Sequence, residues 1–534
     1  MTTTESKLTQ DTPKASPKLK TNPYVGIAGV FLGATIATLN ARLLSVGLPD
    51  LRGALGFGAD EASWLPTTLN MAMMFSGCFV VFLSGLFGPR RILLPASLIF
   101  TGVSAILPFA RGWHLMLALT LIAGVASGTF YSLTMTFVLT ALPRRLIIFG
   151  IAAYAADIVF TGNIAPAIEG WYVEHLSWCW LFWNSSVVTA VMTICVYFGI
   201  PTGSVPSQRP SWRGFAYMSC GLALIYGALD QGERLDWLNS GTIVAMLCGG
   251  CFLLIAAVCR RMIQPNPILD LSFLYRRNIV IIALSIFVFK FVQLSTIILV
   301  PGFLSNIQRY RPLETGQALA WVSVPMFALV WVVAVAVIYT NSRLILALGL
   351  SLTAVGCWRF SQLDSSWAGN SFELWEIIFA VGFACSYVGL VSSLALEGLE
   401  AGALSSATKA ATLSGLAHFI RLLGGEAGVA SMTRFLDVRE KLHSNLLGLH
   451  IQTGSWVSGE RLRVLTGGLL HRSGNPAEAG LRAAGIIGGE VRAQAYTLAT
   501  SDAFVLLAWV VVAYLLLMLL LRPARISFKD LRNM

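Results

Sequence analysis

The sequence contains fourteen apolar runs, each close to the length that a helix needs to cross a lipid bilayer. A hydrocarbon core about 30 Å thick requires roughly 20 apolar residues at about 1.5 Å of helical rise per residue. Hydrocarbon offers the backbone no hydrogen-bond partner, so runs of this length predict helices. We therefore expect an all-α integral membrane protein. The predicted spans are 24–46, 62–86, 92–110, 113–138, 146–168, 177–200, 213–230, 241–259, 278–303, 316–339, 343–360, 374–396, 408–432 and 503–521.

The charge distribution agrees with a membrane protein. Charged residues make up 12% of the 534 residues, against roughly 25% in soluble domains. The net charge of +11 fits either nucleic-acid binding or basic cytoplasmic loops, and the positions of the basic residues decide between them. Arg pairs fall between the spans on the side of the N-terminal tail, so both termini are predicted to be cytoplasmic and nucleic acid is not an expected partner. These pairs are Arg90–Arg91, Arg144–Arg145, Arg260–Arg261 and Arg276–Arg277.

The sequence shows no pattern of a soluble enzyme. It has no P-loop and no HExxH zinc pattern, and the CxxC of Cys248 and Cys251 lies inside an apolar run without a second pair. The longest polar stretch, 433–502, is too short and too polar for a catalytic domain. Many spans with a few charges inside them are typical of a secondary transporter, which needs no cofactor and no metal. An intramembrane enzyme and a non-transporting sensor are the alternatives.

Five segments occur along the chain in the same order as the motifs of a known family. They read TLNARLLSVGLPDLRGALG (38–56), APAIEGWYVEHLSWCWLFWN (165–184), DQGERLDWLNSGTI (230–243), HFIRLLGGEAGVA (418–430) and QAYTLATSDAF (494–504). In this order they resemble motifs of the fourteen-span drug:proton antiporters of the major facilitator superfamily (the EmrB/QacA type). The resemblance extends over nearly the whole chain.

The resemblance implies a fold and a domain organisation. We expect a disordered cytoplasmic tail (1–22), an N-terminal six-helix bundle (23–202), two additional helices (203–262) and a C-terminal six-helix bundle (263–534) with a long periplasmic loop at about 433–502. It also implies alternating access around a central cavity in a bacterial inner membrane. The implied partners are a small-molecule substrate, protons and the lipid bilayer, together with a periplasmic adaptor and an outer-membrane channel.

The first-span motif departs from the family pattern. Where relatives carry an acid, this chain has Asn40, and the nearby hydroxyl position is Arg42. An amide does not titrate, so a proton role does not transfer to Asn40. Arg42 lies near the end of an apolar run, where it either reaches the membrane interface or faces the cavity.

The motifs that the resemblance assigns to packing and conformational change are also altered. The loop after the second span reads GLFGPRR and lacks the Asp-Arg portion of the family, and the fourth span lacks the family's arginine. The proline element of the fifth span keeps only part of its glycines. The residues that remain at these motif positions are Gly85, Arg90, Arg91, Gly124, Gly128, Pro166 and Gly170.

Charged residues inside the spans are the candidates for the transport pathway. Asp157 and Lys290 lie near mid-depth, where a charge costs at least about 2.5–3.5 kcal/mol unless it has a partner or a wet cavity. Asp157 is interpreted as a proton site, a partner for Arg42 or a structural carboxylate, and Lys290 as a cavity cation or a structural ion pair. Glu169 is the second candidate for a proton site, or lies at the interface. Arg421 matches an arginine of the family and is either a pathway or a structural residue.

These residues lead to a functional hypothesis. We expect proton-driven export of amphipathic organic molecules, including drugs. The two cations Arg42 and Lys290 favour anionic or weakly acidic substrates. A transporter of the same fold dedicated to an organic anion or another metabolite is the alternative.

Overall fold

A computed structural model describes residues 22–200, 212–263, 276–400, 407–451, 454–521 and 528–529. Within these residues all regular structure is helical, without a β-strand. The predicted tail up to residue 21 and the predicted domain boundary after residue 202 lie outside the described residues.

Sixteen α-helices form in this part of the chain. They are α1 (Pro23–Val46), α2 (Leu48–Leu55), α3 (Ala59–Phe87), α4 (Pro89–Ile106), α5 (Trp113–Ala141), α6 (Ile147–His175), α7 (Trp180–Gly199), α8 (Trp212–Gly232), α9 (Gly241–Ile263), α10 (Arg277–Ile307), α11 (Pro312–Tyr339), α12 (Ser342–Phe360), α13 (Gly369–Glu400), α14 (Ala407–Gly448), α15 (Trp456–Ser473) and α16 (Pro476–Met518).

Each of the fourteen predicted spans falls on one of these helices. Twelve helices of the described chain are long and apolar enough to cross a membrane, namely α1, α3–α7, α9–α13 and α16. The other two predicted spans correspond to α8 and α14. These helices are more polar because they carry charged residues such as Asp230 on α8 and Arg421 on α14.

The spans pack as two helical halves with α8 and α9 beside them. In the first half α1 packs against α7, and α3 against α5. In the second half α10 packs against α14, and α12 against α13 and α16. The hairpin of α8 and α9 packs through α8 on α3 and α14, and so touches both halves.

Glycines allow the two halves to approach closely along α6 and α11. A Cβ atom on Gly316 of α11 would overlap the backbone of Ala167, and one on Gly170 of α6 would overlap the backbone of Leu313. Small residues at such positions let helix backbones pack closely inside a membrane. This contact joins the halves on one side of the central space.

The segment predicted to be a long periplasmic loop is mostly helical. Its described residues, 433–451 and 454–502, comprise the end of α14, all of α15 and the start of α16, and we call them the helical projection. The carboxylate of Asp502 on α16 contacts Arg439 and His443 of α14. Nε2 of His443 lies 2.7 Å from Oδ2 of Asp502. Arg461 of α15 pairs with Glu490 of α16 at 3.0 Å. These cross-links hold the helices of the projection together.

Candidate functional site

A cavity of about 390 Å³ lies between the two halves and α8. Its walls come from α1, the start of α2, α3, α6, α8, α10 and α14. Glu233, one residue beyond α8, pairs with Arg434 of the helical projection at 3.2 Å, so this end of α8 lies on the projection side of the membrane. At the same end Arg234 pairs at 2.6 Å with Asp60, whose side chain is 89% exposed. The mouth of the cavity is therefore on the projection side.

Three cations line the cavity without a salt bridge to any described carboxylate. They are Arg42 of α1, Lys290 of α10 and Arg421 of α14. Arg42 donates a long hydrogen bond of 3.5 Å to the carbonyl of Ile297, and its Nε is buried without a hydrogen-bond partner among the described residues. The ammonium of Lys290, a residue that is 3% exposed, donates at 2.5 Å to Oε1 of Gln293.

Aromatic rings contact two of these cations, Arg421 and Lys290, at the inner end of the cavity. The guanidinium of Arg421 lies 3.7 Å from the ring centroid of Tyr131, and Lys290 lies 5.7 Å from that of Tyr387. Such cation–π contacts stabilise a charge without neutralising it. The cations therefore remain available to an anionic group in the cavity.

The lining of the cavity also includes two acids, Asp230 of α8 and Glu426 of α14. Tyr226 donates to Oε2 of Glu426 at 2.6 Å. Thr67 donates a short hydrogen bond to Asp230, and Gln231 donates to the same oxygen at 3.3 Å. The cavity thus contains both basic and acidic side chains.

On the side opposite the projection, the two halves are in contact. Ser414 of α14 donates to the carbonyl of Ser132 on α5 at 2.5 Å. His418 of α14 is fully buried and lies against Gly77 of α3, where a Cβ atom would overlap its ring. The cavity is closed beneath Arg421 by this packing of α14 on α3 and α5.

The structure brings three of the six predicted pathway residues together. Arg42, Lys290 and Arg421 line one cavity, and their role in a transport pathway stays a prediction. Asn40 is not among the lining residues, and its amide oxygen instead accepts a hydrogen bond of 3.0 Å from Ser185 of α7. The side-chain amide of Asn40 therefore links α1 to α7 through this hydrogen bond.

Asp157 and Glu169 are buried in α6 but do not line this cavity. The oxygens of both carboxyl groups are buried, and none has a hydrogen-bond partner among the described residues. Arg421 is a charged neighbour of Asp157, whereas Arg42 has Glu426 as its acidic neighbour. The structure therefore does not show the pairing of Asp157 with Arg42 that was one of the predicted roles of Asp157.

Several of the motif residues lie in packing contacts. Gly124 and Gly128 of α5 lie where a Cβ atom would overlap Leu69 and Met73 of α3. Arg90 donates at 2.9 Å to the carbonyl of Ile200 and lies 5.2 Å from the ring centroid of Tyr197, which joins α4 to the end of α7. Arg91 is exposed, Pro166 lies inside α6, and Gly85 belongs to α3.

Sequence reasoning missed the contribution of α8 to the cavity. Tyr226, Asp230 and Arg234 all line it, yet their segment reads as the end of an extra span and its loop. A signal was present, because an acid and a base follow an apolar run within five residues, but interface residues give the same pattern. Among the described residues, no group of three or more His, Cys, Asp or Glu side chains is arranged to hold a metal ion.

The fold defines a multi-pass membrane protein with two helical halves around a polar cavity. The profile of the Major Facilitator Superfamily matches residues 30–429, and the chain belongs to this superfamily. The predicted fold class and family resemblance are thereby confirmed.

Relatives and a solved structure agree with this assignment. The multidrug export protein EmrB of Haemophilus influenzae is 23% identical over 423 residues, which cover 79% of this chain and 82% of the relative. The fatty acid resistance protein FarB of Neisseria gonorrhoeae is 22% identical over 425 residues, with 79% and 82% covered. The human organic anion transporter MFSD10 (TETRAN) superposes with a TM-score of 0.55 at 14% identity, over 92% of this chain and 99% of that structure, and shares the fold.

Proposed function

We propose that this chain is a proton-coupled secondary transporter that exports amphipathic organic molecules across a bacterial inner membrane. The observation that carries the proposal is a charged cavity between two halves that is open on one side and closed on the other. A site of this kind becomes accessible first from one side of the membrane and then from the other as the two halves rock against each other. The relative named as a multidrug export protein supports export as the direction of transport.

The balance of charges in the cavity favours substrates with an anionic group. Arg42, Lys290 and Arg421 have no carboxylate partner among the described residues, while Arg234 is paired with Asp60. Unpaired cations in a partly dehydrated site attract an anion more strongly than cations at a protein surface. A relative named for resistance to fatty acids, which are anionic amphiphiles, supports the same tendency.

The test uses the purified protein in liposomes with an acidic lumen. Two fluorescent amphiphiles differ in charge, since dansyl-norleucine carries a carboxylate and dansylcadaverine carries an ammonium group. We expect accumulation of dansyl-norleucine above the level in protein-free liposomes, and its loss when a protonophore collapses the pH gradient. Accumulation that is independent of the gradient would refute proton coupling. Preference for dansylcadaverine would refute the anionic tendency.

The predicted proton sites on α6 remain predictions. Asp157 is a buried carboxylate whose neighbour is Arg421, a residue of the cavity. The electrostatic influence of Arg421 would couple the protonation of Asp157 to the charge of the cavity. Glu169 is more remote, because it neighbours Asp50 rather than a cavity cation.

An adaptor is proposed as a partner at the helical projection. Several large apolar side chains are exposed there, including Trp456 at 80% and Leu481 at 77%. Exposed apolar groups on an extramembrane element are typical of an interaction site. In a bacterium with two membranes, an envelope-spanning adaptor leading to an outer-membrane channel suits this position. Site-specific photocrosslinking from position 456 to a co-expressed adaptor tests the contact, with exposed Arg482 as a control position.

The proposed orientation places both termini in the cytoplasm and the projection in the periplasm. It rests on the Arg pairs between the spans, which include Arg90–Arg91 and Arg276–Arg277. A reporter enzyme that is active only in the periplasm, fused after Met534, should be inactive. Activity of this fusion would reverse the orientation.

A further inference from the structure

The helical projection contains two further cavities between its helices. A middle cavity of about 600 Å³ lies between α14, α16 and the end of α10, and an outer cavity of about 650 Å³ lies between α14, α15 and α16. Both volumes are in the range of small-molecule sites in proteins. All residues that line the outer cavity are outside the predicted spans, so this cavity lies beyond the membrane core.

The two cavities adjoin the cavity between the halves, which we call the central cavity. Ile298 of α10 lines both the central and the middle cavity. Arg492 of α16 lines both the middle and the outer cavity. Because the mouth of the central cavity is on the projection side, a molecule that leaves it meets the middle cavity and then the outer one.

One face of α14 extends along all three cavities. A series of its lining residues follow one another at intervals of three or four, which places them on the same side of a helix. They are Leu422, Glu426 and Val429 in the central cavity, Thr433, Asp437 and Glu440 in the middle cavity, and Ser444 and Gly448 in the outer cavity. The three cavities therefore share one wall.

The outer cavity is mostly apolar, and the protein does not fill it. Leu462 of α15 and Ile487 of α16 are among its lining residues. A Cβ atom on Gly459 or Gly488, which also line it, would have open space around it. Glycine inside a helix is less favourable than alanine, so helix stability does not account for these residues. An open apolar cavity outside the membrane is typical of a ligand site.

The middle cavity is polar and contains an arginine without a partner. Arg309 follows α10 and forms no salt bridge or side-chain hydrogen bond with a described residue. Its φ angle of 61° lies in the left-handed region, where glycine is the usual residue after a helix and other residues are strained. Arg492 is 82% exposed and lies 3.8 Å from Glu440. Both guanidinium groups are therefore available to an anion.

The acids of the middle cavity already have partners. Asp437 pairs with Lys441 at 2.7 Å and with Arg434 at 3.7 Å. Glu440 accepts a hydrogen bond of 2.9 Å from Ser444. The groups left without a close partner in this cavity are thus cationic.

We propose that the middle and outer cavities form a second binding site, which receives an anionic amphiphile after it leaves the central cavity. The apolar chain lies between α14, α15 and α16, and the anionic group binds Arg309 and Arg492. From Glu440 to Gly448 the helix α14 rises by about 12 Å, a length similar to that of an extended medium-chain acyl group. This inference rests on the proposed function and adds a second site to its pathway.

The second site gives export of an amphiphile a physical advantage. An amphiphile released at the membrane surface returns to the bilayer, because its apolar chain is unfavourable in water. An apolar cavity outside the membrane core holds the chain away from both water and lipid. The molecule then leaves from the projection and not from the membrane surface.

The test is photolabelling of the full-length protein in lipid nanodiscs, followed by peptide mapping. The probe is dodecanoic acid with a diazirine near its methyl end, and its methyl ester is the uncharged comparison. We expect adducts in the peptides that contain Leu462 and Ile487, with about two- to fivefold more labelling by the acid, as for an exposed ion pair. Adducts confined to the membrane-spanning helices would overturn the proposal.

A matched pair of glycine substitutions on α15 tests the outer cavity. Gly459→Leu places a side chain in the cavity and should remove most of the labelling of the projection. Gly468 also has open space around it but lies nine residues further along, on the opposite face of the helix, so Gly468→Leu should label normally. Neither variant should lower the unfolding midpoint, because each replaces a helical glycine. Equal labelling of the two variants would contradict the proposal.

Substitution of Arg309 tests the anionic end of the site. Arg309→Gly should reduce labelling by the acid to the level of the ester, while the unfolding midpoint stays the same or rises because glycine suits the left-handed conformation. Arg309→Lys keeps the charge and should keep the preference for the acid. An unchanged preference in Arg309→Gly would refute the role of this arginine. If no adduct forms in the projection while dansyl-norleucine still accumulates in liposomes, the second site is refuted and the proposed export function stands.

Discussion

Replacing Lys290 by methionine should separate a substrate-binding cation from a structural one. The ammonium lies at the inner end of the cavity, bonded to Gln293 and without a carboxylate among the described residues. Methionine keeps a similar length and removes only the charge. The variant Lys290→Met is therefore expected to bind the anionic probe dansyl-norleucine more weakly and the cationic probe dansylcadaverine more strongly.

The size of the effect follows from the position of the charge. At about 4 Å, two unit charges interact by about 4 kcal/mol at an effective dielectric constant near 20 and by about 1 kcal/mol in water. A small, hydrated cavity lies between these limits, and about 2 kcal/mol is a central value. This corresponds to about thirtyfold weaker binding of the anion. The ratio of anion to cation affinity should fall further, since the two probes respond with opposite sign.

The assay is fluorescence titration of each probe against purified protein, combined with thermal unfolding. Removing a buried cation that has no ion-pair partner is expected to leave the stability unchanged or to raise it. The matched control is Lys441→Met on the helical projection, where the lysine pairs with Asp437 and its side chain is 66% exposed. This control should change neither affinity.

Two results would refute the reasoning. Unchanged affinity for dansyl-norleucine in Lys290→Met would mean that the cation does not meet the substrate. Equal weakening of both probes with a lower unfolding temperature would mean that Lys290 maintains the shape of the cavity instead.

Two further predictions concern the packing of the halves. Gly316→Val should destabilise the protein by about 1–3 kcal/mol and reduce transport, because the valine side chain would overlap the backbone of Ala167. The control Gly102→Val has open space around it. Equal unfolding midpoints of the two variants in denaturing detergent would contradict the expectation. Arg90→Ala should lower the free energy of unfolding by about 1 kcal/mol, because the contacts with Ile200 and Tyr197 are lost. Arg91→Ala, at an exposed site, should leave the stability unchanged, and comparing the unfolding midpoints of the two variants checks this difference.

The sequence predicts the spans well because their physical cause is local. A run of about 20 apolar residues has few alternatives to a membrane helix, and each predicted run falls on a helix, twelve of which are long and apolar enough to span a membrane within the described residues. The polar segment 433–502 has no such constraint. Its helices are held by contacts distant in sequence, such as that between His443 and Asp502, which no local pattern reveals.

The site could be predicted only in part, because depth in the membrane does not determine direction. Lys290 and Asp157 both lie near mid-depth, yet only Lys290 lines the cavity. A helix that is apolar all round, such as α6, gives no periodic signal of its cavity face. Asp230 was missed for the opposite reason, since an acid at the end of an apolar run resembles an ordinary interface residue.

The continuity of α14 connects the cavity with the helical projection. The helix passes Glu426 in the cavity wall and continues without interruption to Gly448, so 22 residues, or about 33 Å of helical rise, separate the two points. A rigid rod of this length works as a lever, and any tilt imposed by ligands at Glu426 becomes a larger displacement at its tip. A partner at the projection would thus sense mechanically whether the cavity is loaded.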